Sequence, residues 1–458
     1  VSSTDALGSE RGWIAARFAL SVFGGLFFWL LVGYISTSSA IGYATTAFSV
    51  AALSSGLMNM GLGVSTLKMV ACDPKGSFST LIILAVPVGI FASALTLAFY
   101  SIYDSFLLYV AIAAVMALLS PMSLVTQNSI LVMKKVRLSF FISALGVALR
   151  YALAVILVLR GLGGLGITVS LIASSIVVTL AFTAYVMWKI GIQRPTYSSA
   201  RTCLRVGIVN YPGTLNAITM STAVVVLGLV TADPSKVGAF YIAVMAALTV
   251  STAASSAALA LIPLRPERDV STYEAMRIAL AVAVLAALPL AAFPRELLSY
   301  LGPTFASGGT ALTVLALAGV PFAALSILVS RIGADKVRVV MAGIIQLLIL
   351  VVLMLAAAPN LEERGAALAY LLAASASALV LSERRDVINL GKAALVFALP
   401  WLLSYLLAAS QALPWPATLL SIELLAALLL RLTGFLRPGD ARLVRELMRK
   451  HPVGQQQQ

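Results

Sequence analysis

The chain reads as a succession of long apolar runs separated by short breaks that carry charge, proline or glycine. A bilayer-spanning helix takes about 20 mostly apolar residues. Fourteen stretches meet that length: 13–35, 41–70, 79–103, 106–133, 139–160, 164–188, 206–231, 237–263, 275–293, 310–331, 338–358, 365–382, 393–412 and 415–433. The ninth is the weakest, because its apolar run from Ala279 to Phe293 is short and must be extended back to Ala275. The pattern predicts an all-α integral membrane protein.

Composition agrees with the pattern. Apolar residues make up 61% of the chain and charged residues only 10%, with a mean hydropathy of +1.02. Soluble domains run nearer a quarter charged, so a water-soluble globule would lack the polar residues to cover its surface. Cys72, Cys203 and His451 are the only cysteines and histidine, which leaves almost no material for zinc, a disulfide framework or histidine catalysis. No metal and no cofactor is expected. No short apolar segment with a small-residue cleavage site precedes the first span, so no removable signal peptide is read. Gln455–Gln458 are a polar tail set aside from fold reasoning.

The net charge of +14 gains meaning once it is placed on the loops. With the N-terminus inside, 26 of the 31 Lys and Arg residues fall on one side, four (Arg160, Lys236, Arg295 and Arg364) on the other, and Arg150 alone lies inside a span. Cytoplasmic loops collect such an excess, and a missed helix would exchange the sides of every later loop. Both termini are therefore predicted to be cytoplasmic, in a multi-pass protein of the plasma (cytoplasmic) membrane. The positive charges are spread over eight short segments without a dense aromatic-interleaved patch, so nucleic acid is not an expected partner; anionic membrane lipids are. Residues 440–451 place Leu443, Val444, Leu447 and Met448 on one helical face and Arg442, Arg445, Arg449 and Lys450 largely on the other, an amphipathic basic tail for the inner interface.

The two six-span blocks are self-similar. Ser38-Ser39-Ala40-Ile41-Gly42-Tyr43 matches Pro234-Ser235-Lys236-Val237-Gly238-Ala239 at an offset of 196. Pro121 with Lys135-Val136-Arg137 matches Pro321 with Lys336-Val337-Arg338, and Gly164-Leu165-Gly166-Ile167 echoes Arg364-Gly365-Ala366-Ala367. Blocks of an even number of spans enter from the same side and are related by an axis along the membrane normal, as in parallel-repeat transporters. The expected domains are a six-helix lobe over 1–195, a second over 196–390, an extra helix pair over 391–435 and the tail over 436–458.

On these residues the chain resembles the multidrug/oligosaccharidyl-lipid/polysaccharide (MOP) exporter superfamily, in particular its polysaccharide and lipid-linked oligosaccharide flippases. The resemblance rests on Ser39 to Gly63, ending Leu57-Met58-Asn59-Met60-Gly61-Leu62-Gly63. It extends to Val237-Gly238-Ala239-Phe240-Tyr241-Ile242-Ala243 running on to Leu261-Ile262-Pro263, and to Leu301-Gly302-Pro303-Thr304-Phe305 leading through Pro321 and Gly333-Ala334-Asp335-Lys336 to Gly365-Ala366-Ala367-Leu368-Ala369. It covers roughly the first twelve spans and implies two pseudo-symmetric six-helix lobes in a V plus a C-terminal helix pair. The activity implied is moving a polyprenyl-(di)phosphate-linked oligosaccharide, or a similar polysaccharide precursor, to the outer leaflet by alternating access. The partners implied are that lipid-linked substrate and glycan-assembly enzymes, for a monomer without enzyme activity of its own.

Inside the spans, polar residues select the cargo. An ionisable side chain at mid-bilayer costs about 2.5–3.5 kcal/mol on insertion scales and usually faces a water-filled path. Arg150 lies ten residues from either Phe140 or Arg160, too deep for easy snorkelling. It reads as a cation for an anionic head group or as a partner for a helix carbonyl. Arg17 and Lys68, near the inner ends of the first two spans, suit an incoming diphosphate or a snorkelling role. Arg265, Arg268, Arg277 and Arg331 read as solvated loop charge, with an opposing cavity rim as the other reading. Asn59, Gln127, Asn210 and Asn216 are sugar contacts or interhelical glue, and Asn128 and Gln346 share their span setting. Pro212-Gly213 is a predicted hinge in the seventh span. Glu423 is the one acid well inside a span. Cations and amides suit an anionic substrate in a cationic cavity. A drug or cation antiporter of the same superfamily is the alternative, and it needs a carboxylate to hold its ion. A membrane glycosyltransferase or polymerase is the alternative of a different class, and its outer carboxylates are missing from the first outer loop, Ser36 to Ala40.

Overall fold

A computed structural model of the chain describes residues 3–195, 197–211, 218–259, 268–332, 336–410 and 414–437. The described residues are helical apart from short turns, with no strand among them. In lipid every backbone N–H and C=O must be satisfied within its own segment, which leaves the helix as the one open-ended solution. Ten helical segments among the described residues are long and apolar enough to cross a membrane. Two of them, Val136–Ile190 and Val337–Leu381, run to 55 and 45 residues and are hairpins, each long enough for two crossings. With α1 (Ser3–Ile35) and the seventh span added, the latter described on either side of residues 212–217, the order follows the fourteen stretches of the sequence. This is a multi-pass membrane protein.

By packing, the chain divides into two compact units, Ser9–Tyr241 and Ile242–Gln458, the latter including Val1–Gly8. The boundary falls within α10 (Pro234–Leu259), whereas the repeat in the sequence divides at 195/196. The seventh span, α8 (Tyr197–Asn210) and α9 (Thr219–Thr231), thus lies in the first unit.

In the first unit α2 (Ser38–Met58) starts on a Thr37 cap, whose hydroxyl accepts from the Ala40 N–H at 3.2 Å. The predicted span 41–70 is not one helix. Met60 (φ 46°) and Gly61 (φ 72°) are both left-handed, and α3 (Leu62–Cys72) sets off in a new direction. A Cβ on Gly61 would also strike the Gly207 carbonyl oxygen of α8, so backbone conformation and close approach both require glycine there. Asp73 caps α4 (Pro74–Leu97) through the Gly76 N–H at 3.1 Å, with Pro74 in the first turn. After α5 (Leu107–Val132), the hairpin of α6 (Val136–Leu157) and α7 (Gly163–Ile190) closes through a π turn (Val158–Leu162) where Gly161 and Gly163 have positive φ. Phe78, Leu81, Phe182 and Val186 fill one core of this unit, and Ala47, Val50, Phe106 and Val110 another.

The second unit is built on α11 (Arg268–Ala292) and α14 (Gly309–Ile332), whose contact is lined with alanine: Ala279, Ala283 and Ala287 with Ala316, Ala323 and Ala324. Small residues let helix backbones approach where lipid supplies no hydrophobic drive. Two short helices, α12 (Pro294–Ser299) and α13 (Pro303–Ala306), join them. In α15 (Lys336–Leu381) the chain folds back at Glu362, which has φ 54° and ψ −129°. The last pair, α16 (Arg384–Ser410) and α17 (Trp415–Leu432), packs on α11 through Ala393, Val396, Phe397, Ala426 and Leu430. The expectation of solvated charge at Arg277 and Arg331 is corrected here. Arg277 is 5% exposed and donates to the Phe435 carbonyl beyond the end of α17. Arg331 grips the buried Asp386 with both terminal nitrogens, at 2.6 and 3.4 Å, and Asp386 also accepts from the Glu383 N–H at 3.0 Å. Arg268 begins α11, and Arg265 lies outside the described residues, as does the basic tail 440–451.

Candidate functional site

Three arginines of the first unit lie along α1 and α6, which run parallel. At one end Trp13 packs against Phe140 (5.1 Å between ring centroids), and at the other the Tyr151 hydroxyl donates to the Gly24 carbonyl at 2.9 Å. Arg137 sits over the Trp13 ring at 5.5 Å. Arg17, a turn further along α1, donates from Nη2 to Gln127 Oε1 at 3.1 Å, and Gln127 in turn donates from Nε2 to Ser123 Oγ at 2.8 Å. Ser123 and Gln127 share a face of α5 one turn apart, so the hydroxyl fixes which end of the amide meets the guanidinium.

Arg150 lies deeper. Its guanidinium carbon is 5.7 Å from the centre of the Phe28 ring, about 16 Å along α1 from the level of Arg17 at 1.5 Å per residue. Its hydrogen bond to Ser174 is long, Nε to Oγ at 3.4 Å, and Ser174 donates its own proton to the Leu171 carbonyl. Phe28 stacks edge-on against Tyr151 and Trp29, and Trp29 against Tyr241. The Arg150 guanidinium is thus set among aromatic faces, a cation–π environment. Among the described residues no carboxylate pairs with Arg17 or Arg150. From Arg11 to Tyr241 the chain has three acids, Asp73, Asp104 and Asp233, and each stands in a turn between helices.

The other candidates separate. Asn59 caps the end of α2 at the break, with a buried Oδ1 that has no protein donor. Lys68 is exposed on α3. Asn128, next to Gln127, donates to the Gly63 carbonyl at 3.0 Å and so ties α5 to α3. Asn216, Pro212 and Gly213 lie outside the described residues, as does the side chain of Asn210, the last residue of α8. The structure brings Arg17 to Gln127, while Arg150 stands apart from that pair. Ser123, Phe28, Trp29 and Tyr241 were not singled out from the sequence; the serine four residues before Gln127 was the one local signal. Tyr211, which donates to the Leu57 carbonyl at 2.8 Å across the α2 break, was also passed over.

The fold is shared with solved structures. The lipid II flippase MurJ in an inward closed conformation matches with a TM-score of 0.70 at 12% identity, over 94% of this chain and 99% of its own. The chain has the fold of the MOP superfamily. An inward-facing multidrug resistance MATE family transporter of that superfamily matches with a TM-score of 0.61 at 16% identity, over 82% of this chain and 98% of its own. A MOP superfamily transporter from Pyrococcus furiosus, described as having a binding pocket of reverse polarity, matches with a TM-score of 0.53 at 16% identity, over 83% and 95%. No protein-family model matches the sequence, and no curated protein matches it. At these identities the likeness is one of fold, and this MOP-fold chain must be read from its own residues.

Proposed function

We propose that the chain is a transporter, and specifically a flippase for a polyprenyl-(di)phosphate-linked oligosaccharide or a similar lipid-linked precursor. Arg17 is the first contact for the phosphate group, and Arg150 is a second cation deeper along the same helix. The observation that carries this reading is the Arg17–Gln127–Ser123 chain. A neutral amide oxygen orients the guanidinium, and among the described residues no carboxylate pairs with it. A half-buried cation without a counter-ion is held at a cost, and an arriving phosphate, with oxygens matched to the planar fork of arginine, reduces that cost.

The test is scrambling of a fluorescent polyprenyl-diphosphate oligosaccharide by purified protein in liposomes, read by quencher access to the outer leaflet. Arg17→Ala and Arg150→Ala are expected to lower the rate by about tenfold or more, as loss of a charge-assisted contact implies. Full activity in both variants sinks the assignment. Glu423 favours a second reading. It is the acid within α17, and its Oε1 is buried without a partner. In a cation antiporter such a carboxylate would hold the ion, so efflux of a soluble cation that stops with Glu423→Gln, together with no scrambling, would move the chain to that branch.

A further inference from the structure

Between α5 and α6 the chain turns over through Lys134, Lys135 and Arg137, all three exposed. The turn is closed by its own backbone. The Lys135 N–H donates to the Ile130 carbonyl at 3.1 Å and the Lys134 N–H to the Leu131 carbonyl at 3.0 Å, with Lys134 left-handed at φ 56°. Glycine or asparagine is usual at that position of a helix end, and a side chain there has a conformational cost. A lysine thus stands where glycine would sit better, on a turn whose hydrogen bonds fix its shape. The next helix, α6, has no acidic residue in its first turn, and among the described residues no carboxylate pairs with any of the three cations.

Arg137 is also held from the side. Its guanidinium carbon lies 5.5 Å from the centre of the Trp13 ring and 5.9 Å from that of Phe141, and those two rings are 5.6 Å apart. A guanidinium that rests on aromatic faces keeps the donors along its edge for an oxygen ligand. Phe141 begins a lipid-facing stripe. With Leu145, Ala148, Ala152 and Ile156 it is exposed along one face of α6, a length of about 22 Å at about 1.5 Å per residue. Leu159, exposed in the π turn, extends the stripe toward the hydrocarbon thickness of about 30 Å. Arg137, one turn before Phe141 on the same face, therefore falls at the level of the lipid head groups, on the side of the Lys- and Arg-rich loops.

From this geometry we infer that the α5–α6 turn is a docking site for an anionic membrane phospholipid, its phosphate on Lys134, Lys135 and Arg137 and its chains along Phe141 and Leu145. The inference needs only the membrane setting and stands apart from the flippase reading. Native mass spectrometry of the full chain in detergent, titrated with phosphatidylglycerol and phosphatidylcholine, should show the anionic lipid retained in preference by about tenfold or more. Lys134→Gln, Lys135→Gln and Arg137→Gln together should remove that preference. A control that neutralises three other exposed cations of the same unit, Lys75→Gln, Lys189→Gln and Arg194→Gln, should leave it in place. Equal loss in the two triple variants would reduce the attraction to diffuse loop charge and overturn the site, as would equal retention of both lipids by the wild type. A second measurement needs no variant. Glycerol phosphate, which has the anion without the chains, should fail to displace the bound lipid at equal concentration. Displacement by glycerol phosphate would make this a free-phosphate site, and displacement by a polyprenyl diphosphate would make it a waiting place for cargo. Either result overturns the membrane phospholipid as its occupant.

Discussion

Gln127 makes Arg17 useful by not being a glutamate. Its Oε1 holds the guanidinium at 3.1 Å and Ser123 fixes its orientation, yet the net charge of the pair stays +1. Gln127→Glu keeps the shape and strengthens the bond, since hydrogen bonds between ions are roughly twice as strong as neutral ones. If Arg17 served packing alone, this variant would scramble normally and melt higher. The expectation is a higher melting temperature with about a tenfold loss of scrambling, because a carboxylate now occupies the charge that phosphate needs. Ser123→Ala frees the amide to rotate and should cost a few-fold in rate, less than Arg17→Ala. A second residue stands in an uncommon conformation for a different reason: Glu362 turns the α15 hairpin at φ 54° and ψ −129°. A side chain in such a region carries about 1–3 kcal/mol of strain, and Glu362→Gly should raise stability by about 1 kcal/mol, read as a rise in melting temperature with scrambling unchanged.

Element by element, much of the chain is open to sequence reading. Spanning length, the one-sided distribution of Lys and Arg and the Pro and Gly punctuation depend on residues close together, and they mark each helix in order. The second span shows where that reading stops. Asn59-Met60-Gly61-Leu62-Gly63 stands out in the sequence as part of the family resemblance, yet the apolar run on either side hides that it divides the helix in two, since hydropathy does not register backbone handedness. Gly61→Ala would force a Cβ into a left-handed position against the Gly207 carbonyl, and it should cost about 2 kcal/mol or more, seen as lost thermal stability or lost membrane-inserted protein. Arg277 and Arg331 were misread because their partners, Phe435 and Asp386, are 158 and 55 residues away. Neither periodicity nor local charge reaches so far. Arg17 and Gln127, 110 residues apart, were each nominated for being polar in a span, but their pairing was not foreseen.

For the whole molecule, the sign of the buried charge decides between cargoes, and it differs along the chain. The first unit offers arginines, Arg17 and Arg150, that no carboxylate pairs with among the described residues. In the second, the half-buried Arg331 is neutralised by the buried Asp386, which ties α14 to the start of the terminal helix pair. Asp386→Asn leaves Arg331 without its main counter-ion and should destabilise by about 2–3 kcal/mol, at the low end for a broken buried pair because the Arg331 side chain is 20% exposed. Arg331→Met with Asp386→Leu removes both charges and should recover most of that loss, so a double-mutant cycle on melting temperature isolates the pair. Such a pair fixes architecture and is closed to cargo, whereas Glu423 lies within α17 with its Oε1 buried and unpartnered, and it is the acid a cation-coupled mechanism would draw on first. The flippase and antiporter readings therefore diverge on a single substitution. Glu423→Gln retains the shape of a side chain whose Oε1 is already buried without a partner, so it should leave folding intact or improve it. With an anionic lipid-linked cargo bound by Arg17, scrambling should persist at or near the wild-type rate, and Arg17→Ala should abolish it whether or not Glu423 is present. A loss of scrambling in Glu423→Gln, at unchanged melting temperature, would instead make transport depend on a protonatable group in the last helix and would tie lipid movement to a proton or cation gradient.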